Sequence, residues 1–183
     1  PSFKYCVGYC YNSDITSQED AEENFLNMFD VSITKHVVFK NYISKEPVID
    51  NRIFLNGNRL FFLEPLESSS TQAYIEMARA VFDYYLQGKV SAVHVKEDMT
   101  KYIKQLQNFM IWHYQSGSKY DTPFWDYAKS LTFEDETFDK FLEYSKLYDC
   151  IPITYGGMTQ NKTYAQWPAY SFKNWNEGIN LNT

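Results

Sequence analysis

The chain has 183 residues, 17 Lys+Arg against 23 Asp+Glu and a formal net charge of −6. It holds no basic run, so the electrostatic footprint of a nucleic-acid or anionic-membrane binder is excluded. No apolar stretch approaches the ~20 residues of a membrane span and the first residues do not form a signal peptide, so a cytoplasmic protein without a membrane partner is expected.

Aromatic residues make up 19% of the chain, enough to build an aromatic interior or pocket. The length allows one compact unit with a sizeable core. Cys6, Cys10 and Cys150 make an odd set without metal spacing and read as free thiols. His36, His94 and His113 are scattered, so no metal site is expected.

In chain order, residues 4–11 alternate bulky and small side chains and predict a strand. Ser17 with Asp20 opens an acidic helix expected to bury Ala21, Phe25, Met28 and Phe29. Residues 35–43 (KHVVFKNYI) and 52–56 read as two further strands. Glu64 and Glu67 then flank Pro65 in a turn that leads through three serines into a helix. That helix is marked by Tyr74, Met77, Ala78, Val81, Phe82, Tyr85 and Leu86, with Gly88 as its stop. Ser69 and Gln72 fit a capping box. The serines sit where unpaired helix N–H groups, with the positive end of the dipole behind them, form an anion site.

After Gly88 the chain reads as mainly helical. Tyr102, Ile103, Leu106, Phe109, Met110 and His113 mark a second helix, starting near Ser91 and stopping at 116–118. Asp121-Thr122-Pro123 opens a third, with Phe124 and Trp125 as anchors. A fourth is expected over 135–148, burying Phe138, Phe141, Leu142 and Leu147 or Tyr148, before an irregular stretch through Pro152, Gly156 and Gly157. Strand, helix, strand, strand, then helices is an α+β order.

Phe62-Leu63-Glu64-Pro65-Leu66-Glu67-Ser68 is the FLEPLES string of the flavin-dependent tryptophan halogenases, and Asp121-Thr122-Pro123-Phe124-Trp125 resembles their DTPFW string, again after a His-Tyr pair, here His113-Tyr114. Residues 8–14 (GYCYNSD) and the tail 164–175 are similar to further segments of that family. The resemblance implies a few strands of an incomplete flavin-monooxygenase-type sheet in 1–70, followed by a helical substrate-binding region in 71–183.

It also implies chemistry. Reduced FAD, supplied in trans by a flavin reductase, and oxygen convert chloride or bromide to hypohalous acid, which reaches an aromatic substrate held beside a carboxylate. Glu67 would be that carboxylate. Ser68, Pro65 and Asn58 would contact the cofactor, with Asn58 standing where an acid is usual. The backbone amides of Ser69 and Ser70, in place of the family's Thr-Gly, would hold the halide. Trp175, Tyr164 and Tyr170 would contact the substrate. Tyr170 stands where a glutamate receives the ammonium of free tryptophan, so an indole or phenol without the amino-acid head is the expected substrate.

No GxGxxG loop occurs, and no lysine lies in the family's catalytic motif. The chain therefore resembles the C-terminal half of a halogenase, inactive alone, with the N-terminal half of the same protein as its partner and an exposed sheet edge prone to self-association. Two other readings stand beside it: a related flavin monooxygenase without halide use, and a non-catalytic aromatic-rich binding module.

Overall fold

A computed structural model of the chain describes residues 6–64, 69–116, 118, 120–133, 135–147, 163–164 and 166–180. The fold is α+β: helices dominate, and three two-stranded antiparallel ladders accompany them. The elements are α1 (Gln18–Met28), β1 (Tyr42–Ile43), β2 (Val48–Ile49), β3 (Ile53–Phe54), β4 (Phe61–Phe62), α2 (Ser69–Arg79), α3 (Ala92–Gln115), α4 (Pro123–Ser130), α5 (Glu136–Leu147), β5 (Thr163–Tyr164), β6 (Trp167–Pro168) and α6 (Ala169–Asn180).

The central element is α3, 24 residues and so ~36 Å long. Ser91 caps it by accepting from the His94 N–H at 3.2 Å, where the sequence places its start, and Ser116 closes it. Its buried residues recur as Ala92, Val95, Met99, Ile103, Leu106, Met110 and His113, steps of three and four that keep one stripe against the core. Phe109 and Trp112 widen the stripe toward the C-terminal end, where β5, β6 and α6 cover it. One core runs from Val48 and Leu60 through Met77 and α3 to Phe138, Tyr164 and Phe172.

The β2–β3 hairpin turns on Asp50 (φ 49°) and Asn51 (φ 55°), with Arg52 N–H donating to Ile49 O at 3.0 Å. Two successive left-handed residues of Asp/Asn type make the mirror-image turn that suits the twist of a hairpin. Pro123 occupies the first turn of α4 after Thr122, as expected. Asp135 caps α5 through Oδ1, which accepts from the N–H groups of Thr137 (2.9 Å) and Phe138 (3.3 Å).

Several expected features differ. Residues 6–11 and 35–41 form no ladder among the described residues, although both alternate as strands do. Extended backbone becomes a strand only when a neighbour supplies the ladder, and here only Tyr42 and Ile43 find one, opposite Phe62 and Phe61. In α1 the buried residues are Ala21 and Phe25, whereas Met28 is exposed, because the short helix has a narrow covered stripe. Gln72 donates forward to Glu76 Oε1 at 2.7 Å instead of reaching back, and Ser69 is already inside α2, so the capping box does not form.

Beyond α2 the helix widens to π geometry over Ala80–Tyr85, with Leu86 N–H donating to Val81 O at 2.9 Å. The wider turn rotates the face that ordinary helical spacing predicts. Met77 stays buried and Tyr85 packs on Phe54 at 4.7 Å, while Phe82 and Leu86 turn outward. Gly88 ends the segment at φ 68°, as a C-terminal glycine should. Phe138 is buried as expected and Leu142 packs partly against the core, whereas the side chain of Phe141 and the expectations for residues 148–157 lie outside the described residues.

Candidate functional site

The stripe of α3 that widens at Phe109 and His113 meets α6 across a cleft. Phe109, His113, Trp167, Ser171, Asn174 and Trp175 line it, and its volume is about 210 Å³. Phe109 is the hub: its ring stacks on Trp167 (3.9 Å between centroids, 18° between planes) and meets His113 and Phe172 edge-on at 4.5 and 4.8 Å. Trp175 packs against the His113 ring at 4.0 Å. Helical geometry explains the grouping: Phe109 and His113 are four apart on α3, and Ser171, Asn174 and Trp175 are spaced by three and four on α6.

The electrostatics of the cleft are close to neutral. Among the described residues its lining holds no Asp, Glu, Lys or Arg. His113 Nδ1 lies 2.7 Å from the Phe109 carbonyl oxygen, which can only accept, so Nδ1 carries the proton. The Trp175 indole N–H is buried without an acceptor among the described residues. Leaving a buried donor unpaired costs about 1–3 kcal/mol, and such groups in native folds call for an explanation by function or strain.

Against the same aromatic cluster lies a partly buried polar lock. The Tyr164 hydroxyl donates to Asp135, while Asn108 Nδ2 donates to Asp135 Oδ2 at 2.8 Å and to Tyr164 Oη at 3.2 Å. Burial by itself would raise the Asp135 carboxyl pKa. Hydrogen bonds from Tyr164, Asn108 and the Phe138 and Thr137 backbone outweigh it and hold the group below its ordinary value. The same burial and the facing carboxylate push the Tyr164 hydroxyl far upward. Tyr164 is fully buried, so this lock fixes β5 to α3 and to the start of α5.

A second polar contact joins the two sequence motifs. Burial raises the Glu64 carboxyl pKa, opposed by a hydrogen bond from Tyr114; burial and then that same partner raise the Tyr114 hydroxyl pKa. The Tyr114 ring lies 5.9 Å from Phe124 and 6.2 Å from Trp125 at the start of α4. Glu64, two residues after β4, thus lies beside the Tyr114 side chain that packs on the start of α4.

The expected site residues fall as follows. Trp175 lines the cleft, and Tyr164 sits against the same aromatic cluster with its hydroxyl engaged. Tyr170 belongs to α6, but its side chain lies outside the described residues, as do Pro65, Glu67 and Ser68. Asn58 is exposed in the short turn Gly57–Arg59, where its Oδ1 accepts from the Tyr74 hydroxyl at 3.1 Å. Ser69 is fully buried at the start of α2 and Ser70 follows it, half-buried. The cleft residues Phe109, His113, Trp167, Ser171 and Asn174 were not anticipated as a site. Their signal is the helical spacing of 171, 174 and 175, which is visible only once 169–180 is recognised as a helix.

Among the described residues no helix is long and apolar enough to cross a membrane, and no group of three or more His, Cys, Asp and Glu could hold a metal ion. The family model described as tryptophan halogenase matches residues 3–176. The chain is also similar to tryptophan 7-halogenase KtzQ of Kutzneria sp. (strain 744), at 27% identity over 140 residues. The match covers 72% of this chain and 26% of that protein, so the chain spans about a quarter of that relative's length.

Proposed function

Because the chain belongs to the tryptophan halogenase family, we propose that it forms the substrate wall and the carboxylate-bearing turn of a flavin-dependent halogenase acting on an electron-rich aromatic compound. The observation that carries this reading is the cleft around Trp175, aromatic on its walls and, among the described residues, free of charged carboxylate or ammonium groups in its lining. A zwitterionic amino-acid head entering it would lose hydration without gaining a counter-charge. Tyr170, uncharged at neutral pH, would not supply one. An indole or phenol without that head is the better substrate.

Reduced FAD, delivered by a separate reductase, would supply with oxygen the oxidising equivalents that convert chloride or bromide to hypohalous acid. The exposed turn Gly57–Arg59 has open space beside Gly57 and the Asn58 side chain at its surface, which fits contact with a polar cofactor chain. Asn58, Pro65 and Ser68 are the cofactor contacts in this reading. The N–H groups of Ser69 and Ser70 at the start of the eleven-residue helix α2 hold the halide. Glu67 positions the halogenating species and takes the ring proton. Trp175, Tyr164 and Tyr170 form the substrate side; Tyr164, its hydroxyl engaged with Asp135, contributes packing.

The glycine-rich nucleotide loop and the catalytic lysine have no counterpart in these 183 residues. They would come from the rest of the protein, and this chain alone is inactive in this reading. One observation favours a second reading, a flavin monooxygenase without halide use: Ser70 stands where the resemblance calls for glycine, and a side chain there narrows the backbone approach an anion needs.

The test is Glu67→Gln in the whole protein that contains this chain, assayed with indole, bromide and a flavin reductase. Halogenated product is expected to fall about 100-fold or more with flavin affinity nearly unchanged. Undiminished halogenation would remove Glu67 from the role, and hydroxylated product without bromide incorporation in the unmodified protein would select the monooxygenase reading.

A further inference from the structure

Two polar side chains of the cleft, Ser171 and Asn174, come from α6. They sit one turn apart at the edge of the cleft, and neither side chain makes a hydrogen bond among the described residues. A serine hydroxyl donates and accepts, and an asparagine amide does the same through separate atoms. Together they match a neutral group that also does both, such as a primary amide or a hydroxyl. The charged neighbours on α6 are occupied elsewhere: Lys173 Nζ pairs with Glu177 Oε1 at 3.6 Å.

The walls set the rest of the ligand. Phe109, Trp167, His113 and Trp175 present ring faces and edges. A volume of about 210 Å³ is below the ~300–1,000 Å³ of pockets that hold drug-sized ligands, so one fused ring with a short substituent is the size that fits. With no carboxylate, ammonium or guanidinium among the described lining residues, a charged substituent would be desolvated without a counter-charge from them.

We propose that the α3–α6 cleft takes a neutral, flat heteroaromatic ligand and that Ser171 and Asn174 are its specificity-determining residues, reading an uncharged hydrogen-bonding head. The proposal rests on the cleft being the substrate wall, but binding can be measured without flavin, halide or turnover.

The experiment is equilibrium dialysis of the 183-residue chain against indole, indole-3-acetamide, indole-3-acetate and L-tryptophan. Indole-3-acetamide is expected to bind about tenfold tighter than indole, the worth of one or two neutral hydrogen bonds. The acetate and tryptophan should bind at least ~10-fold more weakly than the acetamide. Ser171→Ala with Asn174→Ala should bring the acetamide to the level of indole and leave indole within about twofold, since both residues are on the helix surface and the ring walls are untouched. An amide preference that survives the double substitution, tryptophan or acetate binding as tightly as the acetamide, or no binding of indole at all would each overturn the proposal. Amide-selective binding together with absent halogenation in the whole protein would reject the enzyme reading alone.

Discussion

The two ends of the molecule use the same kinds of residue to opposite effect. Around α3, aromatic side chains from five elements close on one another: Phe109, Trp112, Phe138, Tyr164, Trp167 and Phe172 are all buried. In the first 43 residues, Val7, Val37, Val38, Phe39 and Tyr42 are exposed, Val38 at 92%. Composition does not separate these regions. What separates them is whether a second surface arrives: the N-terminal side chains alternate as a strand requires, but among the described residues only Tyr42 and Ile43 meet a ladder partner.

The sharpest way to break that contrast is to empty the hub. Phe109→Ala removes a ring that touches Trp112, His113, Trp167 and Phe172. A loss of about 3–5 kcal/mol of unfolding free energy is expected, measured by urea denaturation. A loss under ~1 kcal/mol would mean that the aromatic cluster is loosely packed and that the two ends differ less than they appear in burial.

A smaller effect is expected at the polar lock. Tyr164→Phe keeps the ring and deletes the hydrogen bond to Asp135, for a cost of about 1 kcal/mol; the partly exposed carboxylate is screened by solvent, which keeps the value low. The pH dependence gives the sign. Asp135 has a folded pKa below its ordinary 3.8, so its stabilisation is present above that value and is lost as pH falls through the folded pKa. Losing the Tyr164 donor brings that pKa back toward its unfolded value, so the variant should lose less stability in acid than the unmodified chain, and the gap between the two should close as pH falls. Identical acid limbs in thermal melts between pH 2 and 5 would contradict the assignment.

This contrast also accounts for what could be read from residues alone. The α3 stripe, the Ser91 cap, the Pro123 start and the Gly88 stop were legible because each depends on local spacing or on one backbone property. The capping box at Ser69 and the outward turn of Phe82 and Leu86 were not, since a side-chain choice by Gln72 and the π turn over Ala80–Tyr85 are settled by packing. Trp175 could be singled out by resemblance, but not its neighbours. Phe109 and His113 read as ordinary core, and Ser171 and Asn174 join them only because α6 crosses α3 there. The lock escaped notice for the same reason: Asn108, Asp135 and Tyr164 are 27 and 29 residues apart along the chain.

The smallest expected effect probes the open end. Val38 is almost wholly exposed, so Val38→Ser should alter the stability of this chain by less than about 0.5 kcal/mol. The same substitution in the whole protein that contains this chain measures something else. If the remaining residues cover the segment 35–41, as the proposed division of the halogenase between two halves requires, a β-branched side chain there becomes buried and its replacement by a hydroxyl should cost about 1–3 kcal/mol. A cost that stays under ~0.5 kcal/mol in both settings would mean that the alternating pattern over 35–41 never meets a covering surface. Its exposed apolar residues would then belong to a free extended arm, and the contrast between the two ends would be a permanent property of the protein.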